Sequence, residues 1–245
     1  MKKLTLAASL ALISPFAAAD TIFGIYAGAG QWQADYSGNA GDPSIDVEAL
    51  GLKDSDNNYY YLALEHPVPL IPNIKLQKVD ISSSQTAVIN QTFDIDGTTF
   101  VVGSEVVSDF DLSHVDATLY YELLDNWVNL DVGLTVRKFD GYVTANTEDG
   151  LTSESVDLDE AIPMLYAKAQ FDLPFTGFSA GFEGNAINYS GNSLTDYSAK
   201  IHYMFDSALD LGIEAGYRQM SLDIDEDVTA DITLEGPYVA LLFHF

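Results

Sequence analysis

Apolar side chains recur at every second position in a series of stretches along this chain, the period of a strand with one greasy and one polar face. The stretch 128–137 is the cleanest: Val128, Leu130, Val132, Leu134 and Val136 alternate with Asn129, Asp131, Gly133, Thr135 and Arg137. A single stretch of this kind suits any half-buried sheet, but here it recurs from one end of the chain to the other. Further strands are predicted at 20–37, 59–66, from Ile74, 115–122, 165–171, 178–185, 196–203, 209–218 and 236–245. The count is about ten, and merging the third or splitting the first would give about eight or twelve. Turns with Pro or Asn (Pro67-Val68-Pro69, Leu123 to Asn126, Pro174) alternate with longer acidic stretches (38–58, 141–161, 221–234). Short turns at one end and long loops at the other are the layout of an all-β, transmembrane, antiparallel up-and-down β-barrel with both termini on the short-turn side.

Between the third and fourth strands, Asp96-Gly97 separates Phe93-Asp94-Ile95 from Thr98-Thr99-Phe100 and predicts a two-residue hairpin. The third and fourth strands are expected to continue past the membrane as one long ribbon. Phe93, Ile95, Phe100, Val101, Val102, Val106 and Val107 on it would either form a binding edge or pack against neighbouring loops. In the first strand, Gln31 and Gln33 suggest the inward face and Phe23 and Ile25 blur it, while the glycines suggest a bend or bulge. Tyr121, Trp127, Phe171, Phe178, Tyr203, Phe205, Phe243 and Phe245 lie at strand ends, as an interfacial aromatic girdle requires.

The N-terminus reads as an export signal: Lys2 and Lys3, an apolar run from Leu4 to Ile13, then Ala17-Ala18-Ala19 with cleavage expected before Asp20. This assigns 1–19 to a signal peptide and 20–245 to the barrel. The run is shorter than the roughly 20 residues of a spanning helix. Composition narrows the partners. With 37 acidic and 10 basic residues the net charge is −27, which argues against a broad basic face for nucleic acid or anionic lipid. There is no Cys and hence no disulfide framework. A mean hydropathy of +0.06 fits a barrel, which hides its hydrophobicity in alternation, and also fits a soluble periplasmic β-sandwich, the alternative fold.

If the apolar faces meet lipid, the opposite faces fill a narrow lumen. They carry Glu65, Asp116, Glu122, Asp131, Glu183, Asp196, Asp210 and Glu214 together with Lys75, Arg137, Lys168, Lys200 and Arg218. Charges inside a narrow barrel have to be paired, so an ion-pair network plugging the middle is expected, the alternative being a narrow cation-preferring pore. An outer-membrane hydrolase is the third possibility. Of the four His, only His114 is placed for it, and Ser113 beside it points to the opposite face. The clusters Asp54-Ser55-Asp56, Asp94-Ile95-Asp96, 157–160 and 223–227 lack EF-hand spacing and read as hydrated surface, with bridging of divalent ions to lipopolysaccharide as a further option. No catalytic residue, metal site or cofactor is expected.

The last strand, GPYVALLFHF, sets Val239, Leu241, Phe243 and Phe245 on one face and ends in Phe. It resembles the C-terminal assembly signal of Gram-negative outer-membrane barrels. With the signal peptide, the GIYAGAG first strand and the HPVPLIPN turn, the layout resembles a small family of uncharacterised Gram-negative outer-membrane β-barrel proteins. The resemblance implies outer-membrane location, contact with lipid and lipopolysaccharide, and the barrel-assembly machinery as partner during biogenesis. It supplies no catalytic residue and leaves the oligomeric state open.

Overall fold

The computed structural model describes residues 23–205, 210–225 and 229–244. The expected export signal and Phe245 lie outside them. Ten strands form the barrel: β1 (Gly24–Ala40), β2 (Asp54–Glu65), β3 (Asn73–Asp80), β4 (His114–Leu124), β5 (Val128–Phe139), β6 (Ala161–Asp172), β7 (Phe178–Tyr189), β8 (Asn192–Met204), β9 (Asp210–Asp225) and β10 (Thr229–His244). Each pairs antiparallel with its sequence neighbour, and β10 closes on β1, so the sheet has no free edge. The start of β1, the end of β10 and the turns after β2, β4 and β6 lie at one end, and the longer connections after β1, β3 and β5 lie at the other.

The outer wall is an apolar belt. Leu62, Leu76, Leu119, Leu134, Val136, Leu165, Phe182, Ile201, Ile213, Val239 and Leu241 are all exposed. No water-soluble domain tolerates so continuous a patch, whereas lipid makes it favourable. From Val128 to Val136 the outward side chains of β5 cover about 20 Å after allowing for a typical strand tilt, close to the height of a bilayer-spanning band. Trp127 packs edge-on to Phe171 (5.1 Å between ring centres), and Phe178, Tyr203 and Phe205 form a second ring cluster at the same end.

At the other rim the outward positions turn polar. Gln31 pairs with Asn58 and Gln33 with Asp56, so both glutamines face outward and the inward face of β1 is the opposite one. The polarity of Gln31 and Gln33 marks the rim, because β1 outlasts the belt. Gly28 and Gly30 lie in an unbroken β1–β2 ladder and are not bends. They leave room for rings: a Cβ on Gly28 would lie 2.2 Å from Tyr61, and one on Gly30 would lie 2.5 Å from Tyr59. Small residues on β1 thus let tyrosines of β2 fill the lumen.

Beyond the rim, three stretches read as acidic loops are in part strand. Residues Asp54–Asn58 already belong to β2, and β9 and β10 extend to Asp225 and back from Thr229. Gly141–Thr147 and Ser153–Leu158 form a hairpin. Asp54, Asp56, Asp157, Asp223, Asp225 and Asp231 occupy outward positions and mask the period; Leu222, Ile224, Ala230 and Ile232 alternate with the last three and point inward.

The expected two-stranded ribbon is also wider. Ser82–Val88 and Glu105–Asp111 pair with each other, and the second also pairs with Gly141–Thr147, giving a four-stranded cap sheet. Its strands prolong β3, β4, β5 and β6 in the same lateral order, so the cap is barrel wall carried on past the rim. The Asp96-Gly97 hairpin forms as expected, with φ of 46° and 79° at its two central residues. Phe93 and Phe100 stack at 5.2 Å and are buried with Ile95 and Val106 against the neighbouring loops, while Val101 and Val102 stay exposed. The wall is lowest at β7 and β8, which are joined through Ser190-Gly191 alone; the β6–β7 ladder ends at Leu165 and Ala186, leaving the top of β7 unpaired on that side.

Candidate functional site: a layered lumen beneath an apolar cap

Inward-facing residues from all parts of the barrel wall meet in horizontal layers. The layer nearest the cap holds two guanidinium groups. Arg137 donates from Nε to Asp116 Oδ1 (2.8 Å) and from Nη2 to Asp116 Oδ2 (2.7 Å) and Asp196 Oδ2 (2.6 Å). Arg218 donates to both oxygens of Asp196 at 2.8 and 2.6 Å and lies over the Trp32 ring at 4.6 Å. Asp196 is thus shared by two arginines, and the set carries two positive and two negative charges. All four are buried. Planar bidentate pairing satisfies both groups at once, which a lysine ammonium cannot do.

The next layer is built on ammonium groups. Lys200 contacts Glu183 at 2.6 Å and Glu214 at 3.6 Å, and Lys75 pairs with the other oxygen of Glu183. Tyr166 donates to Glu183 at 3.0 Å and Tyr238 donates to Glu214 at 2.9 Å. Between the two layers lies a cavity of only about 60 Å³, room for a couple of water molecules. Thr118, Thr135 and Asn185 continue the network as a hydroxyl–hydroxyl–amide chain at 2.8 and 2.6 Å.

Toward the termini the lumen widens into an open vestibule of about 550 Å³. Lys168 lies 3.1 Å from Asp131 at its inner edge. Tyr120 donates to Glu65 at 2.7 Å, and Asn73 donates to Glu122 at 2.9 Å. On the cap side of the guanidinium layer, Val79, Ile81, Phe139, Met164, Leu194, Met220 and Leu234 are buried in one apolar cluster that seals the lumen.

All nine residues singled out as a lumen network (Glu65, Asp116, Asp131, Arg137, Lys168, Glu183, Lys200, Glu214 and Arg218) therefore have inward side chains, but they divide among two layers and a vestibule. Asp210 keeps the inward side of its strand with Glu214, but at the terminal rim it is exposed, 3.7 Å from His244. The tyrosines of the layers and Trp32 were not singled out, since aromatics on inward faces look the same in sequence as aromatics facing lipid.

His114 is 2 % exposed, its Nδ1 2.9 Å from the Leu112 carbonyl and its ring 5.3 Å from Phe139, while Ser113 Oγ accepts from the Ile81 N–H. The one His placed for hydrolysis is sealed in the apolar cluster. Among the described residues no three acidic or His side chains group as a metal site.

The cap carries one charge conflict. The Glu148 N–H donates to the Glu105 carbonyl at 2.9 Å, which brings the two carboxyl groups together, and the hydrogen bond and charge of Glu148 raise the Glu105 pKa. A carboxyl raised on folding repels its neighbour above that pKa and is relieved as the pH falls through it, with no further gain below the unfolded value. Acidification into the carboxylate range should raise the protection of the Glu148 amide relative to its intrinsic exchange rate at each pH, and Glu105→Gln should abolish that gain.

No protein-family model matches the sequence, and no curated protein matches it. Among solved structures it is similar to a Pseudomonas aeruginosa FadL homologue (TM-score 0.36, 10% identity, 91% of this chain and 90% of that one). It is also similar to the CymD monoaromatic hydrocarbon channel (0.35, 11%, 93% and 70%) and to the Pseudomonas putida toluene transporter TodX (0.30, 9%, 92% and 90%). Likeness at this level carries nothing about ligand or transport; the barrel stands on its own closed strand ladder.

Proposed function

We propose that the chain is an integral outer-membrane β-barrel that does not conduct and has no enzymatic activity, with a binding or surface role at its capped end. The observation that carries this reading is the lumen itself, crossed by two paired-charge layers under an apolar seal. Opening a path would require separating buried ion pairs, each costing several kcal/mol. The outward belt and aromatic cluster support membrane insertion, and the lipid-facing Val239, Leu241 and Phe243 of β10 support recognition by the barrel-assembly machinery. The acidic rim and cap would face lipopolysaccharide.

Refolded protein, its insertion checked by the mobility difference between unboiled and boiled samples, should be electrically silent in a planar bilayer. Discrete, cation-preferring steps would overturn the plugged reading and establish the narrow channel instead.

A further inference from the structure

Between the cap sheet and the projecting ends of β1, β9 and β10 lies a second cavity, of about 290 Å³. Leu50, Phe110, Val143, Leu158, Leu222 and Ile232 are among the side chains that line it. Polar atoms are nearly absent from its wall. Tyr36 is held by Ser55, and Asp109 and Thr144 alternate to the outer face of the cap, where Thr144 Oγ1 donates to Asp109 at 3.5 Å. The exception is Ser108. It shares the inward face of its strand with Val106 and Phe110, is 6 % exposed, and its buried Oγ has no hydrogen-bond partner among the described residues.

We propose that this cavity binds a small, neutral, hydrophobic alcohol or phenol, its hydroxyl on Ser108 Oγ and its body against the apolar wall. Size, polarity and charge each select the class. An apolar cavity of ~150 Å³ accommodates benzene, so this one suits a compact molecule of about twelve non-hydrogen atoms. An empty apolar void forfeits dispersion contacts along its whole lining, which a ligand restores. An orphaned buried hydroxyl is costly and is satisfied by one donor or acceptor on the ligand. Among the described residues no charged side chain points into the cavity to pair with an ion, Asp109 lying on the outer face of the cap, and that acidic exterior disfavours a carboxylate. Half-buried Val156, Leu158, Leu222 and Ile224 form the side nearest the low β7–β8 turn, which gives a way in.

The inference rests on the capped end being the binding part of the barrel and names the ligand class for it. The test is titration calorimetry of full-length protein in lipid nanodiscs, against empty nanodiscs, with 1-naphthol and naphthalene as probes. One naphthol should bind per barrel. Ala145→Phe, which fills the cavity, should weaken binding at least about tenfold. Ser108→Ala should weaken naphthol about three- to tenfold, the worth of one hydrogen bond, and leave naphthalene unchanged. Retention of the unboiled gel mobility shows that each variant is folded. No saturable uptake above empty nanodiscs overturns the proposal, as does naphthol binding unaffected by both substitutions. A lipid acyl chain that copurifies, is lost in Ala145→Phe and resists naphthol also overturns it. A silent barrel that takes up no naphthol removes the ligand site and leaves the plug, whereas a conducting barrel that still binds naphthol removes only the plug.

Discussion

Asp196→Leu should destabilise the folded barrel by about 3–5 kcal/mol, because it leaves two buried guanidinium groups with one carboxylate between them. Arg137 would keep Asp116, but Arg218 would lose both of its carboxylate hydrogen bonds while remaining buried against Trp32. Denaturant midpoints of protein refolded in micelles, with the fraction folded read from gel mobility, give the difference. The companion variant separates pair energy from desolvation. Arg137→Met combined with Asp116→Leu removes one complete ion pair and leaves Asp196 and Arg218 bidentate and balanced. It should cost far less than Asp196→Leu, and less than Arg137→Met alone. Equal losses for all three would show that the layer is held by packing and not by charge.

A second large effect is expected at the closing seam. The β1–β10 ladder runs from Tyr26 opposite His244 to Trp32 opposite Tyr238, and resumes at Asp35 opposite Glu235. At the interruption, a Cβ on Gly236 would lie 1.9 Å from the Gln33 carbonyl oxygen, a backbone atom that cannot swing aside. Gly236→Val should therefore cost at or above the ~3 kcal/mol upper range of ordinary single substitutions and lower the yield of closed barrel on refolding. Gly24→Ala is the control. Its added carbon would sit 3.1 Å from the Tyr26 ring, the mobile end of a side chain near the terminal rim, and should change little. If Gly236→Val refolds as well as wild type, the seam tolerates a shift that the ladder does not show.

The barrel was legible in the sequence because lipid imposes period two with few exceptions. The outward side chains of β5 and β10 are apolar at each step from Val128 to Val136 and from Pro237 to Phe243; one such strand suits any half-buried sheet, and its recurrence in strand after strand is what a wall facing lipid requires. Past the rim the same alternation persists with acidic residues outward, so Asp223, Asp225 and Asp231 made strand look like loop. The identity of the inward charges was equally plain from parity, but their pairing was not. Asp196 lies 59 residues from Arg137 along the chain, and only the register of the intervening β5–β8 ladders brings them to one level. The apolar cavity was beyond reach for a related reason. It is bounded by strands of the cap and of β1, β9 and β10, and a void between distant elements leaves no periodic trace in any one of them.

The unequal height of the wall gives the molecule a front and a back. On the side of β3 to β6 the cap sheet stands well above the rim, and at β7 and β8 the chain turns back at Ser190-Gly191. Neighbours approaching in the membrane plane therefore meet a screen from one direction and a threshold from the other. A tag inserted at Gly150 in the cap would be displayed far from the bilayer, and one at Gly191 would be held close to it. Orientation around the barrel axis, which has no meaning for a cylinder, becomes a property of this protein.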